Sequence, residues 1–201
     1  MKKIGGGWQY SVYDLENGRV IKKPNTFWQA YWTIFFYRFP KNVFHTDRRI
    51  CRINADAQKS LVFLKTLLSI IGSEFGNPII HDDYSYEQDK VVPVKTYFKI
   101  HSFEENKKIV DQYIAQVFLF WSYGFGERPF KLTNNYGVTK EGKLVFFDLG
   151  ELYFTKEKAY ERVASRHWDR TPISDSKLQK YYIGQMDKNY TIENIEKYWK
   201  K

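Results

Sequence analysis

Turn signals near the N terminus restrict the fold of this chain more than any other feature of its sequence. Residues 8–13 alternate between apolar and polar side chains, which is typical of a half-buried β-strand. The pair Asn17-Gly18 follows, and this dipeptide is the strongest short signal for a tight hairpin, with residues 19–22 as the return strand. Helix-like periodicity comes after the hairpin, and a chain that combines the two belongs to the α+β class.

Apolar residues spaced three and four apart predict most of the remaining elements as helices. The predicted helices cover residues 26–36, 47–71, 104–123, 156–163, 176–186 and 192–199. The first of them is crowded with aromatic rings, and we interpret it as a packing element. Ser102 is the predicted N-cap of the long helix over 104–123, because a serine hydroxyl accepts a hydrogen bond from the first turn.

Short β-rich runs predict the remaining strands. Those of the N-terminal part cover residues 78–80, 91–94 and 97–100, with residues 81–90 as a polar loop. A second hairpin is predicted from residues 136–138 and 144–147.

We therefore expect two lobes. The N-terminal lobe, residues 1–100, would hold a five-stranded antiparallel sheet and one helix. The C-terminal lobe, residues 101–201, would be mainly helical.

The composition restricts the environment and the partners of the chain. A single cysteine, Cys51, excludes an intramolecular disulfide framework and a cysteine-based zinc cluster. No apolar run approaches the ~20 residues that a membrane-spanning helix needs, and the first residues do not resemble a secretory signal. We therefore expect a cytoplasmic protein without a membrane span. The net charge of +9 favours anionic partners, although the cations are dispersed along the chain.

Three consecutive glycines, Gly5, Gly6 and Gly7, lead into the N-terminal hairpin. Glycines let backbone N–H groups approach a phosphate, because no Cβ atom intervenes. The segment therefore has two interpretations, a phosphate-binding turn and an ordinary flexible turn.

Val20 and Lys22 share one face of the return strand, because strand side chains alternate with a period of two. This face offers an apolar contact for a flat ring beside an ammonium group for an anion. The alternative is an ordinary exposed strand lysine, and the neighbouring Lys23 is a second candidate.

Asn135 and Asp148 stand at facing ends of the second predicted hairpin. An amide oxygen and a carboxylate are hard ligands of the kind that Mg²⁺ prefers, together with substrate phosphates. The alternative is that Asp148 only caps the turn before Gly150.

In this order, the three signals resemble the protein-kinase-like superfamily. Residues 4–12 are similar to its glycine-rich loop, G-x-G-x-x-G-x-V, through Gly5 and Gly7, with Tyr10 in place of the third glycine. Residues 20–22 are similar to V-A-I-K with the alanine replaced. Asn135 and the run 148–150 (Asp-Leu-Gly) resemble the metal-binding asparagine and the D-F-G motif.

The resemblance implies a two-lobed kinase-like fold that binds ATP with Mg²⁺ and whose C-terminal lobe, residues 101–201, is abbreviated. Lys22 would contact the phosphates, and Asn135 and Asp148 would hold the metal. Lys22 and Asp148 would be the catalytic residues. The residues that would surround the nucleotide are Gly5, Gly6, Gly7, Val12, Val20 and Lys22.

Departures from the family pattern point to a degenerate site. Alignment of H-R-D-x-x-x-x-N on Asn135 places Phe130 where the catalytic aspartate is expected. Glu127 is a weak substitute for this base, and Asp56 is a weak candidate for the acid that pairs with the strand lysine. We therefore expect a pseudokinase or a poorly active phosphotransferase. The alternatives are an active atypical kinase or nucleotidyltransferase, and a basic module without a nucleotide that binds nucleic acid or a protein partner.

Overall fold

The computed structural model describes residues 1–39, 46–127 and 131–200. The chain divides into two compact units, Met1–Lys90 and Val91–Lys201. Phe130, which bears on the expected loss of activity, lies outside the described residues. Within the described ranges, every helix is too short or too polar to cross a membrane.

The first unit contains a five-stranded antiparallel sheet, which confirms this part of the α+β prediction. Its spatial order is β1-β2-β3-β5-β4. The strands are β1 (Lys2–Gly6), β2 (Tyr10–Asp14), β3 (Arg19–Pro24), β4 (Ile79–Ile80) and β5 (Tyr86–Asp89). Gly18 closes the turn between β2 and β3 with a φ of 82°, a left-handed conformation that glycine adopts without a steric penalty.

The prediction of a polar loop over residues 81–90 is wrong in its second half, because β5 lies there. Tyr86 and Gln88 are buried, whereas Glu87 and Asp89 point to the other face of the sheet. Arg19 of β3 lies directly opposite Asp89, and its Nη1 donates to Asp89 Oδ1 at 3.0 Å. A distant cation thus stabilises a strand whose polar composition gives only a weak local signal.

Two strands that the sequence assigned to this sheet are not part of it. Val92–Pro93 (β6) pairs in the second unit, and residues 97–100 are helical within α4 (Val94–Ile100). Val94 and Phe98 are buried one helical turn apart, so α4 packs by one face. The division after Lys90 is accordingly earlier than the expected boundary at residue 100.

The helices of the first unit are close to their predicted positions. They are α1 (Phe27–Arg38), α2 (Thr46–Lys65) and α3 (Leu68–Ile71), and a 3₁₀ turn follows at Gly72–Phe75. A capping box begins α1, because Gln29 N donates to Thr26 Oγ1 while Thr26 N donates to Gln29 Oε1. Leu61 and Leu64 of α2 are completely buried.

The second unit is mainly helical, with two small sheets. Its helices are α4, α5 (Phe103–Ser122), α6 (Leu132–Asn135), α7 (Lys156–Ser165), α8 (Ser176–Asn189) and α9 (Ile192–Tyr198). Its strands are β6, β7 (Gly126–Glu127), β8 (Tyr136–Val138), β9 (Leu144–Phe146) and β10 (Leu152–Tyr153). The spatial orders are β6-β8-β9 and β10-β7.

Two local predictions in the second unit are confirmed. The hairpin predicted from residues 136–138 and 144–147 is the pair β8 and β9. Ser102 is the N-cap of α5, and its hydroxyl accepts from Glu105 N while the Glu105 carboxylate accepts from Ser102 N.

Candidate functional site

Residues 7–9 form the turn between β1 and β2, which we call the glycine turn. Gly5 and Gly6 belong to β1, and Gly6 lies opposite Ser11 in the register. The Gly7 N–H donates to Tyr10 O at 2.8 Å, so this amide is already engaged inside the hairpin. A phosphate at the glycine turn would have to compete with that bond.

Asn25, directly after β3, holds the glycine turn in place. Its Nδ2 donates to Gly7 O at 2.8 Å and to Trp8 O at 3.2 Å, and its backbone N–H donates to Gln9 O at 2.8 Å. Its Oδ1 accepts from Ser11 Oγ at 2.8 Å. The turn is therefore tied to the neighbouring strand through side-chain and backbone bonds, and sequence reasoning did not identify Asn25.

An Asn25→Ala variant is expected to lower the free energy of unfolding by about 1–3 kcal/mol, because the partly buried Trp8 carbonyl loses this donor and the buried Ser11 hydroxyl loses its acceptor. Urea denaturation measures this change. Gln58→Ala, at an exposed position of α2, is the control and should remain within about 0.5 kcal/mol of the wild type. An Asn25→Ala midpoint equal to that of the wild type would show that the tether does not stabilise the hairpin.

Lys22 and its neighbour Lys23 lie on opposite faces of β3. Lys22 is 7% exposed, on the buried face of β3 with Val20, whereas Lys23 is exposed. Val12 lies opposite Lys22 on β2, and Tyr86 lies opposite it on β5. The Lys22 Nζ lies 5.4 Å from the centroid of the Tyr86 ring, within the range of a cation–π contact. An ammonium group and two valines are thus grouped on one face of the sheet.

The β8–β9 hairpin brings Asn135 and Asp148 to the same end of the small sheet. Phe147 N donates to Asn135 O at 2.8 Å, so residue 135 lies opposite residue 147 and Asp148 is the next residue. Asn135 is 2% exposed, and Asp148 is partly buried. The two side chains singled out in the sequence therefore come from adjacent backbone positions.

Glu151 is a residue of this region that the sequence analysis missed. Asn135 Nδ2 donates to Glu151 Oε2 at 2.8 Å, and Lys131 Nζ lies 3.2 Å from the same oxygen. This bond turns Asn135 Oδ1 away from Glu151, and Oδ1 is the asparagine atom that could coordinate a cation. The sequence did contain a signal for Glu151, because this acid directly follows the Asp-Leu-Gly run and lies three residues after Asp148.

Asn135 and Asp148 would give a metal ion two protein ligands. Groups of three or more His, Cys, Asp or Glu side chains suited to a metal are not found in the described parts of the chain. Mg²⁺ is commonly bound through one or two carboxylates, with phosphate oxygens and water completing the shell. Asp56, the acid considered for Lys22, is exposed on α2.

Glu127 is a buried carboxyl group next to this region. Tyr113 Oη donates to Glu127 Oε1 at 2.6 Å, and the backbone of Glu127 lies opposite Leu152 in the β7–β10 pair. The pKa of Glu127 is raised to about 8, mainly by burial and also by the charge of Glu151, and this value already includes the opposing effects of the Tyr113 hydrogen bond and of Lys131. At neutral pH this carboxyl group therefore holds its proton in most molecules.

Comparison with known proteins finds no matching family model and no matching curated protein.

Proposed function

We propose that this chain is a kinase-like nucleotide-binding protein that binds ATP with Mg²⁺ and transfers phosphate poorly. The observation that carries the proposal is Lys22, a buried lysine on the third strand of an antiparallel sheet in the order β1-β2-β3-β5-β4. Val12 and Val20 lie on the same face, so an apolar surface adjoins the ammonium group. Asn135 and Asp148, at one end of the β8–β9 hairpin, would be the ligands of the metal ion.

Each of these residues has a distinct role in the proposal. The Lys22 ammonium group would bind phosphate oxygens, and Val12 and Val20 would contact the purine ring. The Asp148 carboxylate and Asn135 Oδ1 would hold Mg²⁺, which neutralises charge on the phosphates when it is bound.

Two features support poor turnover. Phe130 stands where the family has the aspartate that accepts the proton of the substrate hydroxyl. The substitute, Glu127, is protonated at neutral pH because its pKa is about 8, so it is a poor proton acceptor. General base catalysis typically contributes about 10²- to 10⁴-fold to a rate, whereas nucleotide binding does not depend on it.

Thermal denaturation tests nucleotide binding. ATP with Mg²⁺ at about 100 times its Kd should stabilise the wild type by about 2.7 kcal/mol. Lys22→Met, which keeps an apolar stem in the buried position, and Asp148→Asn should remove most of this stabilisation. Lys23→Met is the matched control, because Lys23 is exposed on the same strand, and it should respond like the wild type.

Circular dichroism should show that each variant is folded before the comparison. The proposal is contradicted if Mg²⁺ with ATP or GTP does not stabilise the wild type, or if Lys22→Met responds fully. Incubation with labelled ATP followed by mass spectrometry then measures turnover. A phosphate or AMP adduct that forms rapidly with the wild type and is absent with Asp148→Asn would show that the protein is an active atypical kinase or nucleotidyltransferase. The conclusion that it transfers phosphate poorly would then be wrong.

A further inference from the structure

One side of α1 carries a continuous surface of exposed aromatic rings. We call it the aromatic face, and it consists of the exposed rings of Trp28, Trp32, Phe36 and Phe39 together with the half-buried ring of Phe35. Trp28 is 64% exposed, Trp32 49%, Phe36 69% and Phe39 65%. Successive rings touch, with centroids 5.7 Å apart for Trp32 and Phe36 and 5.9 Å apart for Phe35 and Phe39. The interpretation of this helix as a packing element therefore describes only part of its surface.

The opposite side of α1 already anchors the helix in the first unit. Ala30 and Ile34 are almost completely buried and form a cluster with Ile50 of α2. Trp8 and other partly buried residues pack around that cluster. Because α1 is held by this inner side, its core contacts do not explain why the outer side is apolar as well. Contiguous exposed apolar surface of this kind marks an interaction site.

The sequence around the aromatic face is cationic and free of acids. No Asp or Glu occurs between Glu16 and Asp47. The cations in this interval are Arg19, Lys22, Lys23, Arg38 and Lys41. In the structure, Lys23 is exposed shortly before α1, and Arg48 and Arg52 are exposed on α2, which packs against α1. The segment that carries the aromatic face thus has positive charge and no acid, whereas α2 exposes Asp47 and Asp56 as well as these two arginines.

We propose that the aromatic face binds the surface of an anionic lipid bilayer. Tryptophan is enriched at the boundary between lipid headgroups and acyl chains, and phenylalanine occurs with it on the apolar face of helices that lie in that plane. Lysine and arginine beside them are attracted to anionic headgroups at roughly 1 kcal/mol for each cation near the surface. The 12 residues of α1 are too few to span a bilayer, which takes ~20, so the helix would lie in the plane of the interface. This inference does not depend on nucleotide binding.

Vesicle co-sedimentation tests the proposal. The wild type should bind vesicles of equal parts phosphatidylcholine and phosphatidylserine, and should bind much less to phosphatidylcholine alone. Binding should weaken as the Debye length is shortened from about 10 Å to about 3 Å by added salt. The double variant Trp28→Ser/Phe36→Ser should bind at least about tenfold more weakly. Binding would no longer transfer the apolar surface of these two exposed rings from water into the bilayer.

The matched control is Ile70→Ser/Ile100→Ser, which removes two exposed apolar side chains outside α1 and should leave vesicle binding unchanged. Three results would overturn the proposal: absence of wild-type binding to the anionic vesicles, equal binding to both kinds of vesicle, or full binding by the Trp28→Ser/Phe36→Ser variant. Light scattering adds a further decisive outcome. A wild-type dimer that this variant dissociates, with no vesicle binding, would identify a second copy of the chain as the occupant and reject the lipid surface.

Discussion

A Glu127→Gln variant is expected to match the wild type in stability at about pH 5 and to exceed it by a few kcal/mol at about pH 9. The reason is the burial of the carboxyl group, which raises its pKa from 4.5 to about 8 in the folded protein. Between these two values the folded protein keeps a proton that the unfolded chain has released. The free energy of unfolding of the wild type therefore falls as the pH rises through this range, by about 1.4 kcal/mol for each unit of pKa difference.

Glutamine is the right replacement because it imitates the protonated carboxyl group. Its Oε1 can accept the hydrogen bond that Tyr113 Oη donates at 2.6 Å, and the amide does not ionise. The variant should therefore lose the pH-dependent fall in stability while keeping the buried hydrogen bond.

Urea denaturation between about pH 5 and about pH 9 measures the effect. Glu141→Gln is the control, because Glu141 is exposed and its pKa is lowered by a bond with Thr139, so its titration is complete below this range. Its stability should run parallel to that of the wild type. A Glu127→Gln curve that is also parallel would mean that the folded protein holds Glu127 ionised, and would restore it as a candidate base.

A Trp121→Ala variant is expected to lose about 3–5 kcal/mol of stability, which is a large fraction of the total for a small domain. Trp121 is completely buried on α5, and its ring lies 4.9 Å from that of Tyr190. Its Nε1 also donates to Tyr153 Oη at 3.4 Å, so alanine leaves a cavity and removes one of the hydrogen bonds of a hydroxyl group that keeps its bond with Tyr190 Oη at 2.9 Å.

Trp28→Ala is the matched comparison, since it removes the same side chain from the exposed aromatic face. It should change the stability by no more than about 0.5 kcal/mol. Thermal and urea denaturation of both variants measures the difference. Equal losses in the two variants would contradict the structural distinction between a core tryptophan and a surface one.

The elements that could be predicted from the sequence are those whose signals act over a few residues. The turn at Asn17-Gly18, the N-cap Ser102 and the β8–β9 hairpin all lie where the local pattern predicts them. In each case the residues that set the local conformation lie within three or four positions of one another. Such local interactions form in the same way whatever the rest of the chain does.

The errors concern elements that depend on distant partners. The strand β5 pairs its Asp89 with Arg19, which is 70 positions away, and its own polar sequence resembles a loop. Residues 91–94 and 97–100 have strand-like composition, but β6 pairs in the second unit and α4 buries Val94 and Phe98 as a helix. Short apolar runs fit both kinds of structure, and tertiary packing selects one.

The candidate site shows the same division. The sequence by itself determined the residue types, namely the glycines, two adjacent lysines, and an asparagine and an aspartate around a hairpin. Only the tertiary structure decided that Lys22 is buried and Lys23 exposed, and that Glu151 bonds to Asn135. It also decided that the rings of α1 face outward. The physical reason is that side-chain burial depends on which surfaces meet, and that is a property of the packed chain rather than of any short segment.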